Sequence, residues 1–175
     1  MRGLAVPLAL GLLAAVGSAE GQAPQPGPEH DRMAYWVGSW RADVTNKESP
    51  LGPAGRETWT FSFEWFPGKF HLVYRSEALG ANGKTTGLGF LGYDPEAKEY
   101  FLDEITSTGE ALLFKGSWQD KRWLFTSSLT AGGKPLRLRL VETEVSSSVL
   151  TFLTEASIDG GPWFPIQEGT ATKVK

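Results

Sequence analysis

The chain contains no cysteine, only two histidines and two methionines, and no excess of basic residues. Without cysteine there is no disulfide, no thiolate nucleophile and no lipid-modified cysteine, so burial alone must hold the fold. Its 17 Lys and Arg against 20 Asp and Glu leave a formal charge of −3. No basic stripe exists on which counterion release from a phosphate backbone could be built, which excludes nucleic acid as a partner. The histidines, His30 and His71, offer neither paired metal-ligand spacing nor a His-Glu-x-x-His motif, so no metal, haem or other cofactor is expected. A Gly-x-Ser-x-Gly elbow is also missing, and without an inward histidine a serine triad would lack its base.

Long apolar runs are equally scarce. The one present is Leu4 to Val16, preceded by Arg2 and followed by Gly17-Ser18-Ala19. A positive start, a short apolar stretch and small residues at the cleavage positions read as a signal peptide over residues 1–19, and the stretch is too short to span a bilayer comfortably. Export to the periplasm or the medium is the expectation, with no membrane span in the mature chain. Losing Arg2 leaves 16 basic against 20 acidic residues, a charge of −4. Residues 20–28 (EGQAPQPGP) read as a flexible Pro/Gly-rich linker, and 29–175 as a single domain.

What is abundant is alternation. In Trp59-Thr60-Phe61-Ser62-Phe63-Glu64-Trp65, four aromatics share one parity and Thr, Ser and Glu the other, as a strand with one wet face requires. Runs of this kind recur to the end of the chain. Strands are expected at 39–45, 56–66, 69–79, 85–93, 99–106, 110–119, 122–129, 136–145, 149–158 and 163–174. Between them lie turn residues such as Pro67-Gly68, Ala81-Asn82-Gly83, Ala131-Gly132-Gly133 and Asp159-Gly160-Gly161-Pro162. About ten short-looped strands predict an all-β, antiparallel, up-and-down barrel of the lipocalin or calycin kind. One short helix should precede it, started by Pro28 and stopped by Gly38, with Met33, Trp36 and Val37 on one face across a barrel mouth. The connection from Asn46 to Gly55 is long enough to form a lip at a mouth.

Parity assigns side chains to the lumen: Phe70, Leu72, Tyr74; Leu88, Phe90; Leu112, Phe114, Trp118; Trp123, Phe125, Leu129; Leu136, Leu138, Leu140; Leu150, Phe152; Phe164, Ile166. With the second strand, this nominates Trp59, Phe61, Phe63, Trp65, Tyr74, Phe90, Phe114, Trp123 and Phe152 as the wall of an aromatic lumen suited to a small hydrophobic or amphipathic ligand. His71 should face solvent, and His30 reads as a surface residue of the helix. In the eighth strand the apolar parity switches at Val141, which suggests a bulge or an inward Glu142 or Glu144.

Gly87-Leu88-Gly89-Phe90-Leu91-Gly92 matches G-x-G-x-x-G in letters only, because it sits inside a strand and opens no helix; glycine there relieves crowding or lets a side chain lie on the backbone. Asp103 and Glu168 share parity with apolar neighbours and are the candidate lumen acids should the protein be an enzyme. An envelope scaffold with a filled barrel is the third reading.

A short helix leading to Val37-Gly38-Ser39-Trp40, then Phe66-Pro67-Gly68-Lys69-Phe70, Leu91-Gly92-Tyr93-Asp94 and Asp159-Gly160-Gly161-Pro162-Trp163, resembles the landmarks of exported bacterial proteins in the domain of unknown function 1579 family, a calycin-like group. The resemblance implies a barrel and no established activity or catalytic residues. Haem-binding barrels with a similar Gly-x-Trp opening ligate iron through a histidine near the end of the barrel, and the last thirty residues here contain none.

Overall fold

The computed structural model describes residues 24–174. The signal peptide expected over 1–19 and the expected linker as far as residue 23 lie outside the described residues. A six-residue helix α1 (Pro28–Met33) leads into ten strands: β1 (Gly38–Asn46), β2 (Gly55–Trp65), β3 (His71–Gly80), β4 (Gly83–Asp94), β5 (Glu99–Thr106), β6 (Ala111–Gln119), β7 (Arg122–Ala131), β8 (Lys134–Ser146), β9 (Val149–Ile158) and β10 (Phe164–Val174). Each strand pairs antiparallel with its neighbour in sequence, and β10 pairs with β1 from Ser39↔Val174 to Asn46↔Gln167, closing the barrel. The ten strands and their order are those the alternation predicts.

Turn chemistry does the joining. Gly132 and Gly133 both take positive φ (57° and 77°), as a two-residue hairpin turn that follows the strand twist requires. Asp120 and Lys121 adopt the same left-handed pair (51° and 63°) without glycine. The 46–55 connection is tied down by a Ser49–Gly52 bridge and by Lys47 N–H donating to the Ile166 carbonyl at 2.8 Å.

The helix and the turn after it close one mouth. Met33 and Trp36 are buried, Trp36 packs on Trp40, Phe63 and Trp123, and Trp40 Nε1 donates to the Trp36 carbonyl at 2.8 Å. Tyr35 Oη donates to the carbonyls of Ser146 and Val149, and Tyr100 Oη to that of Glu29. The expected plug is present, and it buries His30 as well, contrary to its reading as a surface residue. His30 Nδ1 accepts from Gly27 N–H at 3.0 Å, and its ring packs edge-on against Phe70 and Tyr93.

Side-chain direction departs from the sequence reading on three strands. On β4 it is Leu91 that is buried, while Leu88 and Phe90 are exposed on the outer wall. The lumen side carries Gly87 and Gly89, so parity counted from apolar residues selected the wrong face. On β5, Leu102, Glu104 and Thr106 point inward, and Asp103 lies outside, accepting from Phe90 N–H at 2.5 Å. On β10 a bulge between Pro165 and Gln167 turns Glu168 outward, where it pairs with Lys47. Asp103 and Glu168 are therefore not lumen acids. On β8 the original parity persists past Leu140: Glu142 and Glu144 both turn in, and the bulge falls after Glu144.

Candidate functional site

The barrel encloses a cavity of about 470 Å³, open at the end opposite the helix. That volume lies within the range of small-molecule pockets. Its floor is the Trp36 layer of the plug. Its walls are the inward residues of β2 to β9, with Ile166 and Gln167 from the β10 bulge. On β2 the alternation delivers Trp59, Phe61 and Phe63 to the lumen. Phe63 is buried, and Trp59 and Phe61, which also border the cavity, are half-buried. Trp59 stacks on Phe152 at a ring separation of 5.6 Å, and Phe63 lies 4.8 Å from Tyr74.

Of the nine residues nominated from sequence, Trp59, Phe61, Phe63, Tyr74, Phe114 and Phe152 line this cavity. The other three do not. Trp123 is completely buried at the helix end between Trp36, Tyr100 and Phe125. Trp65 packs against the core near the same end. Phe90 belongs to an outer-wall depression with Phe66, His71, Phe101 and Asp103. His71 thus faces outward as expected, half-buried against Phe101, and burial with the nearby His30 lowers its pKa.

The polar inventory of the lumen is one-sided. Four glutamates turn toward it, Glu57, Glu104, Glu110 and Glu142, while Glu77 points outward from β3 at its rim, and among the described residues no Lys, Arg or His lines it. Three are engaged at the open end: Glu57 accepts from Asn46 Nδ2 and Trp59 Nε1 at 2.8 Å each, Glu77 pairs with Lys84, and Glu110 accepts from the hydroxyls of Thr106 and Thr108. Glu104 lies deeper and accepts from Ser76 Oγ at 2.6 Å, and burial raises its pKa against the effect of that bond. Room for this pair comes from Gly87, where a Cβ would fall 1.9 Å from Glu104 Oε1 and 2.4 Å from Ser76 Oγ.

Glu142 is the extreme case. Desolvation pushes its carboxyl from the ordinary 4.5 up to about 8, and its Oε2 is buried without a hydrogen-bond partner. Its strand neighbour Glu144, by contrast, accepts from both Trp118 Nε1 and Trp123 Nε1. The other buried side-chain polar atom lacking a partner among the described residues is Trp36 Nε1, and Trp36 lines the same cavity. Buried polar groups are normally bonded, so two unpartnered atoms on one cavity mark it as a place for polar contact as well as apolar burial. Tyr74 feels both Glu104 and Glu142, and burial with those charges raises its hydroxyl far above the ordinary phenol value.

Sequence reasoning missed Glu104, Leu91 and Leu102 through the inverted parity of β4 and β5. The signal was available in Gly87 and Gly89, because small residues on a lumen face leave room for a long partner opposite. Among the described residues no three His, Cys, Asp or Glu are grouped as metal ligands would be, and no helix is long and apolar enough to cross a membrane.

The family described as "Protein of unknown function (DUF1579)" matches over residues 25–173. No curated protein matches the chain in sequence. Among solved structures, Rv2717c from M. tuberculosis is similar at 16% identity, with 85% of this chain and 99% of that one aligned and a TM-score of 0.62. The S-type phycobiliprotein lyase CPES from Guillardia theta is similar at 10% identity, covering 84% of this chain and 93% of that one, with a TM-score of 0.53. At these identities the likeness is one of fold: a calycin-like closed barrel.

Proposed function

We propose, from the premise that the chain belongs to the DUF1579 family of proteins of unknown function, that it is an exported, non-enzymatic barrel that binds a small hydrophobic or amphipathic molecule in its aromatic lumen. The observation that carries this reading is the cavity of about 470 Å³, walled by aromatic rings and bearing the two unpartnered buried polar atoms, Trp36 Nε1 and Glu142 Oε2. A scaffold barrel would fill its lumen; ten strands with seven Trp have the rings to do so, yet these leave a slot. Trp59, Phe61, Phe63, Tyr74, Phe114 and Phe152 form the contact surface of this reading. Burying one such ring contributes roughly 1.5 to 3 kcal/mol, and a ligand that covers the exposed sides of Trp59 and Phe61 completes that burial.

A catalytic reading has one specific observation in its favour. Glu142 is an acid with a pKa near neutrality, as a general acid or base needs. It stands alone, with no nucleophile or orienting partner bonded to it, so ligand binding is preferred.

Native mass spectrometry of protein purified without denaturation tests the binding reading. A co-purifying small molecule, or saturable quenching of Trp fluorescence by an apolar dye, supports it; a lumen that takes up neither refutes it. Export rests on Arg2, the Leu4 to Val16 run and Gly17-Ser18-Ala19. Intact mass of protein recovered outside the cytoplasm should place the N-terminus at or near Glu20, and a retained 1–19 segment in a membrane fraction would refute cleavage.

A further inference from the structure

We infer that the ligand is an amphipathic organic cation, an apolar body of roughly aromatic-ring width carrying a protonated or quaternary amine. The inference rests on the lumen-binding reading above and adds the charge of the ligand.

The first ground is the sign of the lumen. An anionic amphiphile such as a fatty acid would bring a carboxylate into a cavity whose inward side chains include four glutamates and, among the described residues, no cation. Buried charge without a partner is strongly unfavourable. The cation faces the opposite situation: the rim attracts it, and the interior holds acceptors with spare capacity. Glu142 Oε2 has no partner, and Glu104 is bonded through Oε1 only, to Ser76. The second ground is the walls. Trp59, Phe61 and Tyr74 border the cavity, and the negative face of an aromatic ring attracts ammonium groups, most strongly where water is excluded. Trp36 Nε1 asks for an acceptor instead. A single neutral N–H is outweighed by the carboxylates, and a hydroxyl, ether or carbonyl on the same ligand would satisfy it.

A cation also resolves the condition of Glu142. Its cross-strand neighbours, Trp123 on β7 and Phe152 on β9, carry no charge, and the titratable groups around it are Glu144 on its own strand, Tyr35 after the helix and Tyr74 across the lumen. None supplies a positive charge, so at neutral pH the carboxyl holds its proton. A bound ammonium favours the ionised form and expels that proton, which makes cation binding and proton release a single event.

The test compares three compounds of one shape, phenylbutylamine, phenylbutanol and phenylbutyrate, by quenching of Trp fluorescence at neutral pH. The amine is expected to bind about tenfold or more tightly than the alcohol, and the alcohol more tightly than the acid. In the Glu104→Gln/Glu142→Gln double variant, with near-ultraviolet circular dichroism confirming the packed Trp environment, the ratio of amine to alcohol affinity should fall to about one. Glu168→Gln, on the outer wall, should leave that ratio unchanged. Alcohol binding equal to or tighter than amine binding overturns the cation inference and leaves the apolar-ligand reading standing; binding by none of the three overturns both. Phenylbutyltrimethylammonium, whose charge is permanent, gives the second readout. Calorimetry in two buffers of different ionisation enthalpy should detect protons leaving the protein, and binding without proton release refutes Glu142 as the counter-ion.

Discussion

Replacing Glu142 by glutamine tests the central electrostatic claim without any ligand. The carboxyl titrates near 4.5 in an unfolded chain and near 8 in the barrel. Its folded-state pKa is raised, so the unfolded state gives up its proton first. Burial of Glu142 therefore costs nothing below pH 4.5, costs more as pH rises, and reaches its full penalty above pH 8. With each pH unit worth about 1.4 kcal/mol, the penalty at pH 7 is about 3 kcal/mol. Glutamine keeps the shape and does not ionise. Whatever its amide gains or loses in the lumen is independent of pH, so the slope isolates the ionisation. Urea unfolding of both proteins between about pH 4 and pH 9 should show the variant's advantage levelling off at about 5 kcal/mol in mild base after reaching about 3 kcal/mol at pH 7. In thermal scans that corresponds to a difference of roughly 10 °C. An offset between the two proteins that does not change with pH would show that Glu142 ionises as freely as on the surface, and would remove the desolvated-carboxyl account of the lumen.

Four other variants probe the architecture. Phe63→Asp should eliminate dye binding or folding because Phe63 is 3% exposed, whereas Phe90→Asp, on the outer wall at 38% exposure, should leave both intact in fluorescence titrations. Gly89→Ala would place a Cβ 1.8 Å from the Asp103 carbonyl oxygen, on backbone that cannot swing aside, and should lower stability by about 3 kcal/mol or more in urea unfolding. Changing Asp120 and Lys121 together to Asn-Gly removes two strained left-handed residues and should raise the urea midpoint, with a gain of about 1 kcal/mol.

The fold was legible because the strand period and the turn residues agree along the chain. On β2 and β7 most inward residues are apolar and most outward ones polar, so parity reads direction correctly: Trp123 and Phe125 are buried and Leu129 half-buried. On β4 the cue reverses. The lumen side is glycine, left small so that Ser76 and Glu104 can meet over Gly87, while Leu88 and Phe90 sit on an outer wall that tolerates single apolar residues. On β10 one extra residue at the bulge flips everything after it, and Glu168 goes out with the shift. Alternation reports that a strand has two faces; which face is inner is decided by its neighbours. Glu142 was foreseen as one of two alternatives on β8, but its isolation required knowing that Trp118 and Trp123 direct their indoles to Glu144 instead.

The seam between β1 and β10 bears on how the chain reaches this shape. Every other pairing joins strands adjacent in sequence, and this one joins Ser39 to Val174. Contacts so far apart form late and slow folding, because the whole intervening loop must close before they reward it. A chain emerging in order from its N-terminus can build each hairpin as it appears, yet both edges of the sheet stay unpaired until residues 164–174 arrive. Until then it presents two open edges to any partner with strands to offer. The finished barrel presents none, so its last eleven residues set the moment at which the chain ceases to be a client for chaperones.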